Sequence, residues 1–100
     1  MYQIPLTEKP ESWGKSSIFI KKGAVESGLF QCDPGLSLPL HAHDEGDEYI
    51  YLFQGEARFV VGDEEFDAKP GQLVKAPKGV MHRCSNVTDR PFVCFYLVCH

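Results

Sequence analysis

Turn-forming residues interrupt this sequence at short intervals, and no stretch between them has the apolar spacing of an amphipathic helix of three turns. The clearest turn signals lie at residues 33–35, 62–63, 69–71 and 77–79. Short apolar runs separated by such signals at roughly 8–12-residue intervals are typical of β-sandwiches and barrels. We therefore predict an all-β protein.

The runs between these turns are rich in β-branched and aromatic residues, and each is predicted to be a strand. Pro39 lies inside one of them and removes a backbone donor, which suits an edge position or a bulge. The last run is apolar without alternation, so we expect both of its faces to be covered. The predicted strands are 16–22, 24–32, 36–43, 49–53, 57–61, 64–66, 73–76, 80–85 and 92–99.

The first 17 residues are polar and are interrupted by Pro5, Pro10 and Gly14. We predict an N-terminal arm over residues 1–17 and a single barrel domain over residues 18–100, a size typical of one domain. The arm is expected to dock against an apolar surface through its own apolar side chains, Tyr2, Ile4, Leu6 and Trp13.

His41 and His43 are separated by one residue, so a strand would project both imidazoles from the same face. Turn-forming residues follow, and Glu48 then opens an apolar run. A strand–turn–strand hairpin would bring Glu48 back beside the two imidazoles. Two neutral nitrogen ligands and one carboxylate that converge on a point suit a divalent metal ion.

His82 follows the turn at residues 77–79, and from a separate hairpin it could complete a site of three nitrogens and one oxygen. Asp47 is the rival of Glu48 as the carboxylate ligand. Asp44, Glu45 and Asp47 are otherwise expected to be solvated residues of an acidic turn. Asn86 is expected to be a turn residue rather than a ligand.

These two segments resemble the two signature motifs of the cupins. The first motif is a Gly, five residues, His-x-His, three or four residues, Glu, six residues and Gly, and it matches the segment from Gly35 to Gly55. The second is a Gly, five residues, Pro-x-Gly, two residues, His, three residues and Asn, and it matches the segment from Gly71 to Asn86. Agreement at all of these positions is a specific signal.

The resemblance implies a double-stranded β-helix, which is a jelly-roll barrel with a metal in its mouth. The metal ligands would be His41, His43, Glu48 and His82. Such a set leaves one or two coordination positions open, as in catalytic sites. The donor types suit Fe, Mn, Ni, Co or Zn and do not choose among them.

Strand alternation from Glu48 predicts that Ile50 and Leu52 point inward and that Tyr49, Tyr51 and Phe53 point outward. The expected wall is mainly apolar and suits a small organic molecule. Arg58 and Arg83 could pair with a substrate carboxylate, although surface positions are more common for arginine. Cys84 lies two residues after His82, so a strand would point it inward beside the metal, either as a small buried side chain or as a thiol that contacts the substrate. Further wall candidates are Phe59 or Val61, Val74, Ala76, Cys94 and Tyr96.

Three functions fit these features: a metal-dependent enzyme, a ligand-binding module and a barrel in which the metal only stabilises the fold. Open coordination positions favour the enzyme over the purely structural barrel, whereas nothing in the sequence separates the enzyme from the ligand-binding module. The enzyme would be either a dioxygenase or an isomerase or lyase that acts on a sugar or keto acid. The candidates for a catalytic role are Glu26, Tyr96 and Cys84. Because inward general bases are few, oxygen chemistry is favoured.

The remaining expectations concern partners and location. A net charge of -4 argues against a nucleic-acid surface, and no apolar run is long enough to span a membrane. The start of the sequence lacks the features of a signal peptide, and the four cysteines form no C-x-x-C pair, so we expect reduced thiols and a cytoplasmic protein. The outward aromatic residues and the apolar last strand predict a homodimer.

Overall fold

All the regular secondary structure that the computed structural model describes, in residues 3, 6–44 and 46–100, consists of β-strands. The prediction of an all-β protein is therefore confirmed. The predictions made for Tyr2, Ile4, Pro5 and Glu45 fall outside the described residues. The strands are β1 (Glu8–Glu11), β2 (Gly14–Lys22), β3 (Val25–Cys32), β4 (Asp47–Gln54), β5 (Ala57–Val61), β6 (Glu64–Ala68), β7 (Leu73–Ala76), β8 (His82–Ser85) and β9 (Phe92–Cys99).

The strands form two antiparallel sheets that face each other across a shared core. The larger sheet has the order β1-β2-β3-β9-β4-β7, and the smaller has the order β6-β5-β8. Strand β9 lies between β3 and β4, so the last strand in the sequence holds the larger sheet together. The core includes the fully buried side chains of Leu52, Phe59 and Phe92.

The strand that was predicted at residues 36–43 is not continuous. Its backbone meets β8 only at two isolated bridges, Ser37 with Ser85 and His41 with His82. Between the bridges the chain advances four residues on one side and three on the other, so the register shifts by one residue, and Pro39 lies at this shift. The expected irregularity at Pro39 is therefore present.

Residues 8–11 and 14–17, which were assigned to the arm, lie within strands of the larger sheet. Strand β1 pairs with β2, and β2 pairs with β3 from Gly14 onward. The predicted boundary between residues 17 and 18 thus falls inside β2. Trp13, in the turn before β2, makes an edge-to-face contact with Phe30 of β3 at 6.1 Å between ring centroids. The polar sequence of this region concealed its pairing, because edge strands of a sheet are commonly polar.

Two glycines of the first motif allow a direct test of this packing. Gly35 and Gly55 have nearly the same backbone angle, with φ at 77° and 78°. A Cβ at Gly35 would have open space, whereas one at Gly55 would lie 2.5 Å from the Pro91 carbonyl oxygen and 2.8 Å from the Phe92 Cα. The two positions therefore differ in their surroundings and not in their conformation.

We expect Gly35→Ala to lower the free energy of unfolding by about 1–2 kcal/mol, which is the cost of a left-handed backbone for alanine. Gly55→Ala should cost at least about 2 kcal/mol more, because the neighbouring backbone must move. Urea unfolding of the two variants checks this. Equal losses in the two variants would contradict this, because they would show that the backbone at Pro91 and Phe92 moves at little cost.

Candidate metal centre

His41 and His82 lie directly opposite each other on antiparallel backbones. The His41 N–H donates to the His82 carbonyl oxygen at 3.0 Å, and the His82 N–H donates to the His41 carbonyl oxygen at 2.7 Å. This reciprocal pair places the two imidazole rings side by side, with their centroids 4.3 Å apart. His43, two residues further on, brings its ring to 5.1 Å from that of His41.

Glu48 reaches these imidazoles from the other sheet. Its strand, β4, pairs with β7 and β9 and not with the segment that carries His41 and His43. The predicted hairpin is therefore wrong, because the segment that carries His41 and His43 bridges to β8 of the smaller sheet, whereas Glu48 lies in β4 of the larger sheet. The convergence of the carboxylate with the imidazoles, which that hairpin was meant to explain, is nevertheless present.

The four side chains meet in a small volume. One ligand atom from each of His41, His43, Glu48 and His82 lies within 4.8 Å of all the others. Glu48 Oε1 lies 2.7 Å from His82 Nε2 and 3.3 Å from His43 Nε2. Two ligands at right angles around one ion, each about 2.1 Å from it, would be about 3 Å apart. The spacing of these atoms is thus that of neighbouring ligands.

Backbone carbonyls orient two of the imidazoles. His41 Nδ1 lies 2.7 Å from the Pro39 carbonyl oxygen, and His82 Nδ1 lies 3.0 Å from the Val80 carbonyl oxygen. A carbonyl only accepts, so each Nδ1 carries the proton. A neutral ring of this tautomer has an unprotonated Nε2, the form that binds a metal ion.

The third imidazole shows that the site fits a cation. His43 Nε2 is buried, and among the described residues it has no hydrogen-bond partner. Its 3.3 Å approach to Glu48 lacks the alignment of a hydrogen bond. An unpaired buried nitrogen is costly, and a metal ion at the centre of the cluster would satisfy it.

The Glu48 carboxylate controls the protonation of His82. Burial lowers the pKa of His82, but the hydrogen bonds to Glu48 and to the Val80 carbonyl, together with the Glu48 charge, outweigh burial and raise the pKa above its ordinary value. Both partners are almost fully buried, at 3% exposure for His82 and 6% for Glu48. A proton shared between His82 and Glu48 therefore supplies the positive charge that a metal ion would otherwise bring to this carboxylate.

The rival ligands point elsewhere. Asp47 Oδ1 accepts a hydrogen bond from the Lys78 N–H at 2.8 Å, and its Oδ2 lies 3.7 Å from Lys75 Nζ. Asp44 is exposed and does not join the cluster. Asn86 is buried and organises the turn that follows β8, where its Nδ2 donates to the carbonyls of Cys32 and Arg90. Its prediction as a turn residue is confirmed.

A cavity of about 230 Å³ opens beside the cluster. Ile50, Phe59 and Cys84 contribute to its wall as predicted, whereas Leu52 and Cys94 pack in the core below it. Val61, Val74 and Ala76 do not line it. Sequence reasoning missed wall residues from β2, β3 and the segment before His41, whose positions depend on pairings between distant strands. The lining residues are Trp13, Ser16, Glu26, Phe30, Leu38, Pro39, His41, His43, Glu48, Ile50, Phe59, His82, Cys84 and Tyr96.

Glu26 and Tyr96, two catalytic candidates, form a pair on this wall. The Tyr96 hydroxyl lies 3.4 Å from Glu26 Oε2. The Tyr96 ring packs over Gly28, where a Cβ would lie 3.0 Å from the tyrosine ring and hydroxyl. Burial raises the pKa of Tyr96 to about 12, and the charge and hydrogen bond of Glu26 add to this effect. Tyr96 therefore keeps its proton at neutral pH, and its hydroxyl donates a hydrogen bond to the Glu26 carboxylate.

The remaining candidates differ in their access to the cavity. Burial raises the pKa of Cys84 well above its ordinary value, so its thiol stays neutral. The four cysteines are all free, as predicted. Arg58 lies on the surface and donates from Nε to Asp67 at 3.0 Å, and neither Arg58 nor Arg83 lines the cavity. The suggested pairing of these arginines with a substrate carboxylate in this cavity is therefore wrong.

Comparison with known proteins identifies the family. A family model described as a cupin domain matches residues 28–99. The chain belongs to the cupin family. The predicted double-stranded β-helix is thereby confirmed, and two sheets that enclose a mouth with a histidine and glutamate cluster agree with it.

Solved structures with the same fold are distant in sequence. A cupin 2 conserved barrel domain protein from Salinispora arenicola is 20% identical, with a TM-score of 0.85 over 100% of this cupin and 89% of that chain. A conserved protein of unknown function from Streptococcus pyogenes is 21% identical, with a TM-score of 0.77 over 84% of this chain and 71% of that one. A mutant of Bacillus subtilis oxalate decarboxylase is 24% identical, with a TM-score of 0.83 over 92% of this chain but only 27% of that one. The search of curated proteins found no match.

We expect His82→Ala to lower affinity for Co(II) or Zn(II) by more than about 100-fold, because it removes one of the four donors of the site. Elemental analysis after equilibrium dialysis measures this. Asp44→Asn is the control, since it removes a neighbouring but exposed carboxylate and should bind metal as the original chain does. Equal metal content in His82→Ala would refute the ligand assignment.

Proposed function

We propose that this cupin is a metal-dependent enzyme of the dioxygenase type that acts on a small organic molecule. The observation that carries the proposal is the convergence of three imidazoles and one carboxylate beside a mainly apolar cavity. His41, His43, Glu48 and His82 would hold a divalent Fe, Mn, Ni, Co or Zn ion. When bound, such an ion supplies open coordination positions that accept oxygen donors and polarise them.

The residues around the cluster have separate roles in this proposal. Pro39 and Val80 fix the tautomers of two ligands through their carbonyls. The apolar wall, which includes Ile50 and Phe59, excludes water from the reacting atoms. Exclusion of water strengthens electrostatic interactions and protects reactive species from side reactions.

A second candidate function is proton transfer, as in an isomerase or lyase of a sugar or keto acid. The observation that favours it is the pair of Glu26 and Tyr96 on the wall of the same cavity. Glu26 offers a general base, and the protonated Tyr96 offers a general acid. Cys84 is a weaker candidate because its thiol is neutral.

Oxygen uptake and hydrogen exchange separate the two functions. We expect Fe(II)-loaded protein to consume oxygen with a member of a panel of small acids, diketones and sugars, and we expect His82→Ala to lose this uptake. An absence of uptake, together with deuterium exchange from solvent into a ketone or sugar acid, would replace the first function by the second. In that case Glu26→Gln should slow the exchange by about 100-fold or more.

We also propose that the working protein is a homodimer. Strand register places Leu29, Phe95, Tyr51 and Leu73 in one row across four neighbouring strands of the larger sheet. Tyr51 and Leu73 are exposed, so the outer face of β9 is not fully covered by its own chain. A contiguous apolar surface of this kind supports an interface between copies. The free cysteines support the further proposal of a cytoplasmic location.

Light scattering at micromolar concentration tests the dimer. We expect a mass near twice the 11.3 kDa of one chain. Tyr51→Arg should give the monomer mass, because it adds a charge to a side chain that is 40% exposed within the apolar row. Val87→Arg, at a side chain that is 60% exposed in the turn after β8, is the control and should stay dimeric. A monomer mass for the original chain would contradict the proposal.

A further inference from the structure

Two carboxylates line the cavity, and they come from two strands that lie on either side of a third. Glu26 of β3 and Glu48 of β4 are both register partners of Val98 in β9, one on each side of it. Two strand spacings therefore separate their backbones by about 10 Å. Glu48 belongs to the histidine cluster, whereas Glu26 stands alone at the opposite side of the wall.

No basic side chain compensates Glu26. Among the residues that the structure describes, no Lys or Arg lines the cavity, and the one hydrogen bond to the Glu26 carboxylate comes from the neutral Tyr96 hydroxyl. Lys21 is the register partner of Glu26 in β2, but it is exposed, and no ion pair joins the two side chains. The carboxylate is half-buried, so bulk water screens it only in part.

Three aromatic rings follow one another along the wall, beginning with Tyr96, which contacts Glu26. The Phe30 ring lies 6.1 Å from that of Trp13 and 6.0 Å from that of Tyr96, between centroids. All three rings line the cavity together with Glu26. Aromatic faces attract cations, and a carboxylate beside them adds a direct ionic partner. A ligand carboxylate beside Glu26 would instead meet a like charge, with no Lys or Arg of the cavity lining to compensate it.

We infer that the substrate carries a protonated amine, which Glu26 binds against the rings of Trp13, Phe30 and Tyr96, while the other end of the substrate faces the histidine cluster. The placement of the other end of the substrate at the histidine cluster rests on the proposed function. The binding of the amine by Glu26 does not. The Tyr96 hydroxyl donates a hydrogen bond to the Glu26 carboxylate at 3.4 Å, and the Glu26 charge is what selects the amine.

Trp13 provides the measurement, because it is the only tryptophan in the chain and lies on the wall itself. Its emission can be titrated with 2-phenylethylamine, 2-phenylethanol and phenylacetate, which share a ring and differ in charge. In metal-free protein the amine should bind about tenfold or more tighter than the alcohol, a difference of about 1.4 kcal/mol. The acid should bind most weakly. The preference for the amine over the alcohol should persist in Zn(II)-loaded protein.

Glu26→Gln keeps the shape of the side chain and removes its charge, so the preference for the amine should fall to about twofold or less. Tyr96→Phe keeps the ring and the Glu26 charge, so the preference should persist. Equal binding of amine and alcohol in the original chain overturns the inference, and so does a preference that survives Glu26→Gln but is lost in Glu48→Gln. If Glu26→Gln does not fold, as judged by circular dichroism, the order of the three probes in the original chain decides.

The outcome is separate from that of the proposed function. A Glu26-dependent preference for the amine in a protein that shows neither metal-dependent oxygen uptake nor hydrogen exchange would leave the inference standing and refute the function. Metal-dependent turnover without any preference for the amine would support the function and refute the inference.

Discussion

The reciprocal backbone hydrogen bonds between His41 and His82 hold the site together. They set the two imidazoles side by side although 40 residues separate them in the sequence. Each ring is then fixed by the carbonyl two residues before it, that of Pro39 for His41 and that of Val80 for His82. One local arrangement, repeated on two facing segments, thus decides both where the ligand nitrogens point and which of them lacks a proton.

The buried Glu48 carboxylate joins this pair of segments to the larger sheet. Its charge is removed from water, and its hydrogen-bond partner across the interior is His82. Burial of a charge is favourable only when its partners stay in place, so the loss of one imidazole costs more than one hydrogen bond. The same carboxylate that would bind an ion is therefore an electrostatic contact between the two sheets.

The sequence was sufficient to predict the all-β class, most strand positions and the members of the histidine and glutamate cluster, because turn chemistry, alternation and motif spacing are local. It was not sufficient to predict how Glu48 reaches His41, since the pairing of β4 with β9 places Glu48 and the bridge to β8 places His41. The role of Trp13 in the cavity was hidden for the same reason. Its position follows from the pairing of β2 with β3 and not from its polar neighbours.

The central position of β9 has a consequence for the order of folding. Strands β3 and β4 each pair with β9 and not with each other, so the larger sheet cannot close until residues 92–99 are available. The smaller sheet joins β5, β6 and β8, which lie close together in the sequence, and it can form earlier. Contacts between distant parts of a chain slow folding, because a long loop must be closed before they form. During synthesis, Glu26 and Glu48 therefore cannot be placed on one cavity wall until β9 has been made and has paired with both of their strands.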